Sequence, residues 1–129
     1  MNKILVEVSV GELLDKISIL EIKKERITDP ESAKFIQNEY SILKDQLDKN
    51  IKHDESLDEL FNKLKKINMT LWEKEDEKRS YEKNSDFGEK FIKVSRDIHF
   101  LNDNRSKIKL EINKITGSLI REIKQYTSY

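Results

Sequence analysis

From Phe87 to Ile123 the apolar residues step by three and four: Phe87, Phe91, Val94, Ile98, Leu101, Ile108, Ile112, Ile115, Leu119 and Ile123. That alternation keeps one face of a helix apolar and does not suit a strand, whose faces alternate every second residue. One position in the stripe is charged, Arg105, and Asn102 and Lys109 continue its face. The stripe predicts a C-terminal helix over about 86–123, roughly 36 residues and ~54 Å long at 1.5 Å per residue. Its weak point is Thr116-Gly117-Ser118, because a glycine inside a helix costs ~1 kcal/mol against alanine.

The rest of the chain agrees with a helical reading. Only three glycines and one proline interrupt 129 residues, and Glu, Lys, Leu and Ile are abundant, which favours long helices over a many-turned β fold. The length is that of one domain, 1–129. At 36% hydrophobic and 39% charged, its core is lean.

Ile4-Leu5-Val6-Glu7-Val8 reads as a short extended segment. A lone strand needs a partner, so it lies against the bundle or pairs with another copy. Ser9 to Glu12 has capping-box spacing and opens a first helix over about 9–27, with Val10, Leu13, Leu14, Ile17 and Leu20 on one face. Ile19, Ile22 and Ile27 widen that face, so this helix is contacted on more than one side. Asp29-Pro30 caps and starts a second helix over about 30–51. Ser56 followed by Glu59 starts a third over about 56–82. Short connections make sequential helices antiparallel neighbours. The expectation is an all-α, up-and-down bundle of about four helices, with a long C-terminal helix and a short extended N-terminal segment. An overhanging apolar stripe needs cover, so the tail of the last helix predicts a homodimer.

Several function classes are disfavoured. Net charge is zero, with 25 acidic and 25 basic residues, where a nucleic-acid binder needs a basic surplus. No apolar run approaches the ~20 residues of a membrane span. The start carries Glu7 and does not read as a signal peptide, so the Asn68-Met69-Thr70 sequon carries no meaning. With no cysteine, thiolate chemistry is excluded, and the expected location is cytoplasmic. There is no glycine-rich phosphate loop, no paired-histidine metal motif and no nucleophile elbow. His53 and His99 stand alone and read as solvated or locally hydrogen-bonded. No metal and no cofactor is expected.

What remains is the polar residues that interrupt the stripes. In the bundle, Arg26, Trp72, Glu75, Asp76, Arg79 and Arg96 fall near the end that holds the turns at Asp29 and Ser85, with Glu21 at a similar height. Asn102 and Arg105 come level with Glu12 and Asp15. Buried charges have to be paired, since removing one partner costs ~3–5 kcal/mol. One reading therefore pairs Arg105 with Glu12 or Asp15, and Arg79 or Arg96 with Glu75 or Glu21, fixing helix register. The other is a pocket between helices where Arg79, Arg96, Arg105 and Lys109 clamp a small anionic ligand, with Glu75, Asp76 and Asp103 as partners. A protein partner on the last helix is a further possibility.

The stretch GELLDKISILEIK (11–23) with ERITDP (25–30) resembles the opening of an uncharacterised family of short all-helical bacterial and phage proteins. Trp72 with Glu75-Asp76 and Arg79, Asp86-Phe87, Phe91-Ile92, Ser95-Arg96, Asn102-Asp103 with Arg105, Lys109 with Glu111-Ile112-Asn113, and Glu122, Lys124 and Tyr126 continue the resemblance. It implies no activity, but marks the same polar residues. LDKISIL (14–20) is more weakly similar to the first helix of the all-helical chorismate mutases, although Leu14 and Asp15 stand where those enzymes carry an arginine. Glu12 with Asp15, and Glu73 with Asp76, have one of the two carboxylate spacings of the Mg-dependent helical nucleotide pyrophosphohydrolases. The expected function is a non-enzymatic interaction or anionic-ligand-binding module. The alternative is an enzyme of one of these two kinds acting on an anionic metabolite.

Overall fold

Ser9 caps the first helix as its spacing predicts: its Oγ accepts the Glu12 backbone N–H at 3.1 Å. In a computed structural model that describes residues 2–129, four helices follow: α1 (Val10–Arg26), α2 (Pro30–Asn50), α3 (Glu55–Lys83) and α4 (Glu89–Thr116). Asp29 caps α2 by accepting from the Ser32 N–H at 2.9 Å, with Pro30 in the first turn. The cap of α3 is Asp54 rather than Ser56; its carboxylate accepts the Leu57 N–H at 2.8 Å. The start of α4 is later than predicted, at Glu89. Asp86 bonds the Gly88 N–H at 3.2 Å, an Asx-type turn that holds the chain out of the helix for two more residues.

The four helices pack against one another as a bundle, and the described residues contain no strand. Helix α1 lies against each of the other three, α3 against α4, and the backbone of α2 approaches α1 alone. This explains the wide apolar face of α1. Leu14 and Ile17 of α1 form the main core with Leu47, Leu57, Leu60, Leu64 and Ile112. A second cluster, Leu71, Val94 and Ile98, fills the α3/α4 seam. Arg105 lies about two turns from Ile98 on one side and from Ile112 on the other, and its bond to Asn68 of α3 sets this charged break in the stripe at the α1/α3/α4 junction.

The C-terminal helix is shorter than its apolar stripe. Gly117 adopts φ +67°, and the Ser118 N–H closes back on the Asn113 carbonyl at 2.9 Å. That left-handed cap ends α4 at Thr116. Leu119 and Ile123 therefore lie on non-helical chain, and the expected helical overhang does not exist. The tail runs back along α4 instead: Glu122 stands 3.6 Å from Lys109, and Tyr129 bonds Asp103 and packs its ring on His99 and Phe100. Among the described residues, those before Ser9 (2–8) belong to no helix and no strand ladder. Among the described residues, no helix is long and apolar enough to cross a membrane.

Candidate functional site

Gly11 sets how closely α1 approaches α4. A Cβ on it would stand 2.6 Å from the Lys109 carbonyl oxygen, and its N–H donates to Asn113 Oδ1 at 2.7 Å. This close crossing brings Glu12 and Asp15 of α1 to Lys109 of α4, at 2.7 and 3.7 Å. The ammonium also meets Glu122 of the tail. The pairing expected for Arg105 thus belongs to Lys109, one turn further along α4.

Arg105 makes a different set of bonds. It donates to Asn68 Oδ1 at 3.0 Å and to Asn102 Oδ1 at 2.7 Å. Among the described residues it forms no ion pair within 4.0 Å. Asn68, 4% exposed, is the hub of the junction. Its amide nitrogen donates to Asp15 Oδ1 at 2.8 Å and to Ser18 Oγ at 2.7 Å, and Ser18 in turn donates to the Asp15 carbonyl. A chain of hydrogen bonds therefore links α4 to α3 to α1, with every side-chain amide hydrogen of Asn68 used. In the sequence Asn68 stands out only as part of a sequon. Its position between Leu64 and Leu71, at core-facing steps of four and three, was the available signal.

Beside this network runs an open groove of about 360 Å³ between the helices, lined by Ile19, Asn68, Leu71, Trp72, Glu75, Asp76, Arg79, Asn102 and Arg105. The two predicted clusters are joined here: Trp72, Glu75, Asp76 and Arg79 share one groove with Asn102 and Arg105. Trp72 is half-buried, while Glu75, Asp76 and Arg79 are exposed. Other candidates lie elsewhere. Arg26 pairs with Glu73 at 3.1 Å, and Glu21 pairs with Lys65 at 3.0 Å rather than with an arginine. Arg96 is exposed and lines no part of the groove. Nor do Arg79 and Arg96 pair with Glu75 or Glu21. Asp103 faces the tail, where it accepts from Tyr129 and stands 4.0 Å from His99. His53 is locally bonded, between Asp48 and Asp58.

The Lys109 cluster responds to pH at both extremes. The hydrogen bond from Lys109 holds Glu12 below its ordinary value of 4.5, against some desolvation. Burial pulls the Lys109 ammonium down, but its bond to Glu12 and the charges of Asp15, Glu12 and Glu122 outweigh this and raise it above 10.5. A lowered carboxylate contributes stability above its unfolded value, lost as pH falls through the folded one; a raised ammonium contributes below its unfolded value, lost as pH rises through the folded one. Lys109→Met is therefore expected to cost about 1–2 kcal/mol, between the costs of surface and buried pairs. In denaturant titrations across pH, the gap from wild type stays constant at neutral pH and closes below 4.5 and above 10.5.

The polar residues of the groove and network coincide with the stretch recognised by a model of a family of unknown function (DUF6165), which matches residues 4–129; the chain belongs to that family. No curated protein and no solved structure matches it.

Proposed function

We propose that this family member binds a small anionic ligand in the α1/α3/α4 groove. A carboxylate or phosphate sits on Arg105 and Asn102, and the body of the ligand lies over Trp72, Leu71 and Ile19. The observation that carries this reading is the setting of Arg105. Its guanidinium is fixed by two neutral amide oxygens, so its orientation is set while its charge meets no carboxylate directly. A guanidinium has five N–H donors in a planar fork that matches carboxylate and phosphate geometry. Lys109, by contrast, is surrounded by Glu12, Asp15 and Glu122 and has no charge to spare. The groove volume suits a metabolite-sized ligand.

A thermal-shift screen against phosphorylated and carboxylated metabolites tests the reading. A ligand that binds only the folded chain stabilises it by RT ln(1 + [L]/Kd), about 2.7 kcal/mol at one hundred times Kd. Wild type is expected to respond to one anion class, and Arg105→Ala to lose the response. Arg105→Lys keeps the charge but cannot bridge both amides, so it responds weakly. A response of equal size in wild type and Arg105→Ala overturns the assignment of the groove.

A further inference from the structure

The N-terminal segment holds a self-complementary pattern. Residues 2–8 carry no helix and no ladder, and Ile4, Leu5 and Val6 are 87, 82 and 74% exposed. In extended chain successive side chains alternate faces. Ile4, Val6 and Val8 therefore share one face, and Lys3, Leu5 and Glu7 share the other. An antiparallel pairing with a second copy, centred on Leu5, sets Lys3 of each copy opposite Glu7 of the other. It also sets Ile4 opposite Val6 and Leu5 opposite Leu5. Opposite charges and β-branched pairs directly across a ladder are the favourable cross-strand contacts. Parallel pairing in the same register would set Lys3 against Lys3 and Glu7 against Glu7. An unpaired extended segment also presents free backbone donors and acceptors to any second strand.

We propose that residues 3–7 are the homodimerisation surface of this chain, pairing as an antiparallel two-stranded ribbon about a two-fold axis at Leu5. The occupant is a second copy because the charge pattern is complementary to itself, as an isologous interface requires. A two-stranded ribbon alone is marginal, so it needs apolar cover from elsewhere in the dimer. The Val10 N–H donates to Ser118 Oγ at 3.3 Å, which ties the root of the segment to the root of the C-terminal tail. The next residue, Leu119, is fully exposed, and Ile123 is 83% exposed. These exposed apolar side chains lie on the tail whose root is tied to that of the segment. The interface thus rests on the two chain ends, while the groove between the helices stays open.

The test is a charge exchange read by sedimentation velocity over a concentration series at low ionic strength, where exposed pairs are least screened. Wild type is expected to dimerise. Lys3→Glu alone and Glu7→Lys alone each turn two attractive pairs into repulsive ones and weaken the dimer by about tenfold or more. The double variant restores it, and an equimolar mixture of the two single variants forms a heterodimer tighter than either alone. All these positions lie outside the helices, so circular dichroism at 222 nm stays at the wild-type value. A wild-type chain that remains monomeric overturns the proposal. So do a dimer indifferent to both single changes, and single changes that neither the double variant nor the mixture rescues.

Discussion

Asn68→Leu lowers the unfolding free energy by about 3–5 kcal/mol in urea denaturation at neutral pH, the range for breaking a buried charged network from one side. Leucine matches asparagine roughly in size, so no cavity explains the loss. What disappears is one acceptor and two donors. Arg105 loses the bond that joins it to α3, Asp15 loses its amide partner, and the fully buried Ser18 hydroxyl loses its donor. Asp15 keeps only Lys109 at 3.7 Å. The apolar gain from an added leucine, about 1.5–3 kcal/mol at most, does not offset the bonds that Arg105, Asp15 and Ser18 lose together. Ser18→Ala removes one member and spares the charges, so it is expected to cost only about 1 kcal/mol. A loss below 1 kcal/mol for Asn68→Leu would mean that the network orders the helices without stabilising them.

Gly11→Ala is expected to destabilise the chain by roughly 2–3 kcal/mol, against the ~1 kcal/mol gain that alanine gives in an unencumbered helix. The reversal of sign has a single cause. The new methyl would meet the Lys109 carbonyl oxygen at 2.6 Å and Asn113 Oδ1 at 3.0 Å. The first is backbone of α4 and cannot swing aside, so the two helices have to part. Parting them stretches the Lys109–Glu12 bond at 2.7 Å and the Gly11–Asn113 bond at 2.7 Å. Thermal unfolding measures the effect, and a variant more stable than wild type would contradict the close crossing. The same displacement moves Arg105 relative to Asn68, so Gly11→Ala also weakens any ligand response of the groove without touching the ligand.

Much of this architecture was legible in residue types and spacings. Ser9, Asp29 and Pro30 stood where helix starts require them, and Val94, Ile98 and Ile112 of the stripe are buried as its period demands. The polar breaks at Asn102 and Arg105, and the run Trp72, Glu75, Asp76, Arg79, pointed to two clusters between helices, either ion-paired or lining a pocket, because a charged residue in an apolar seam has to find company; that one groove joins them was not legible. Three more things were hidden. Gly117 marked the weak point of the last helix, but the stripe continues in register through Leu119 and Ile123, so periodicity did not show that a left-handed cap there ends the helix outright. Asn68 sits at a core step of α3 but reads as a surface residue by type. Height along a helix also says nothing about direction around it. Arg96 lies nine residues before Arg105, which at about 100° per residue turns it some 180° away, and Asp103 is turned away by a similar amount.

These observations describe a helical bundle whose junction is held by one buried amide and whose groove holds an arginine oriented by two amide oxygens. Trp72 is the chain's single tryptophan and lines that groove, so its fluorescence reports on the site without a label. The most direct measurement is a titration of Trp72 emission with the anion that gives the largest thermal shift. The anion-binding reading predicts a saturable change in wild type, at the concentration that gives half the stabilisation, and none in Arg105→Ala. An anion that stabilises the chain while leaving Trp72 emission unchanged, or that changes it equally in both proteins, would contradict it.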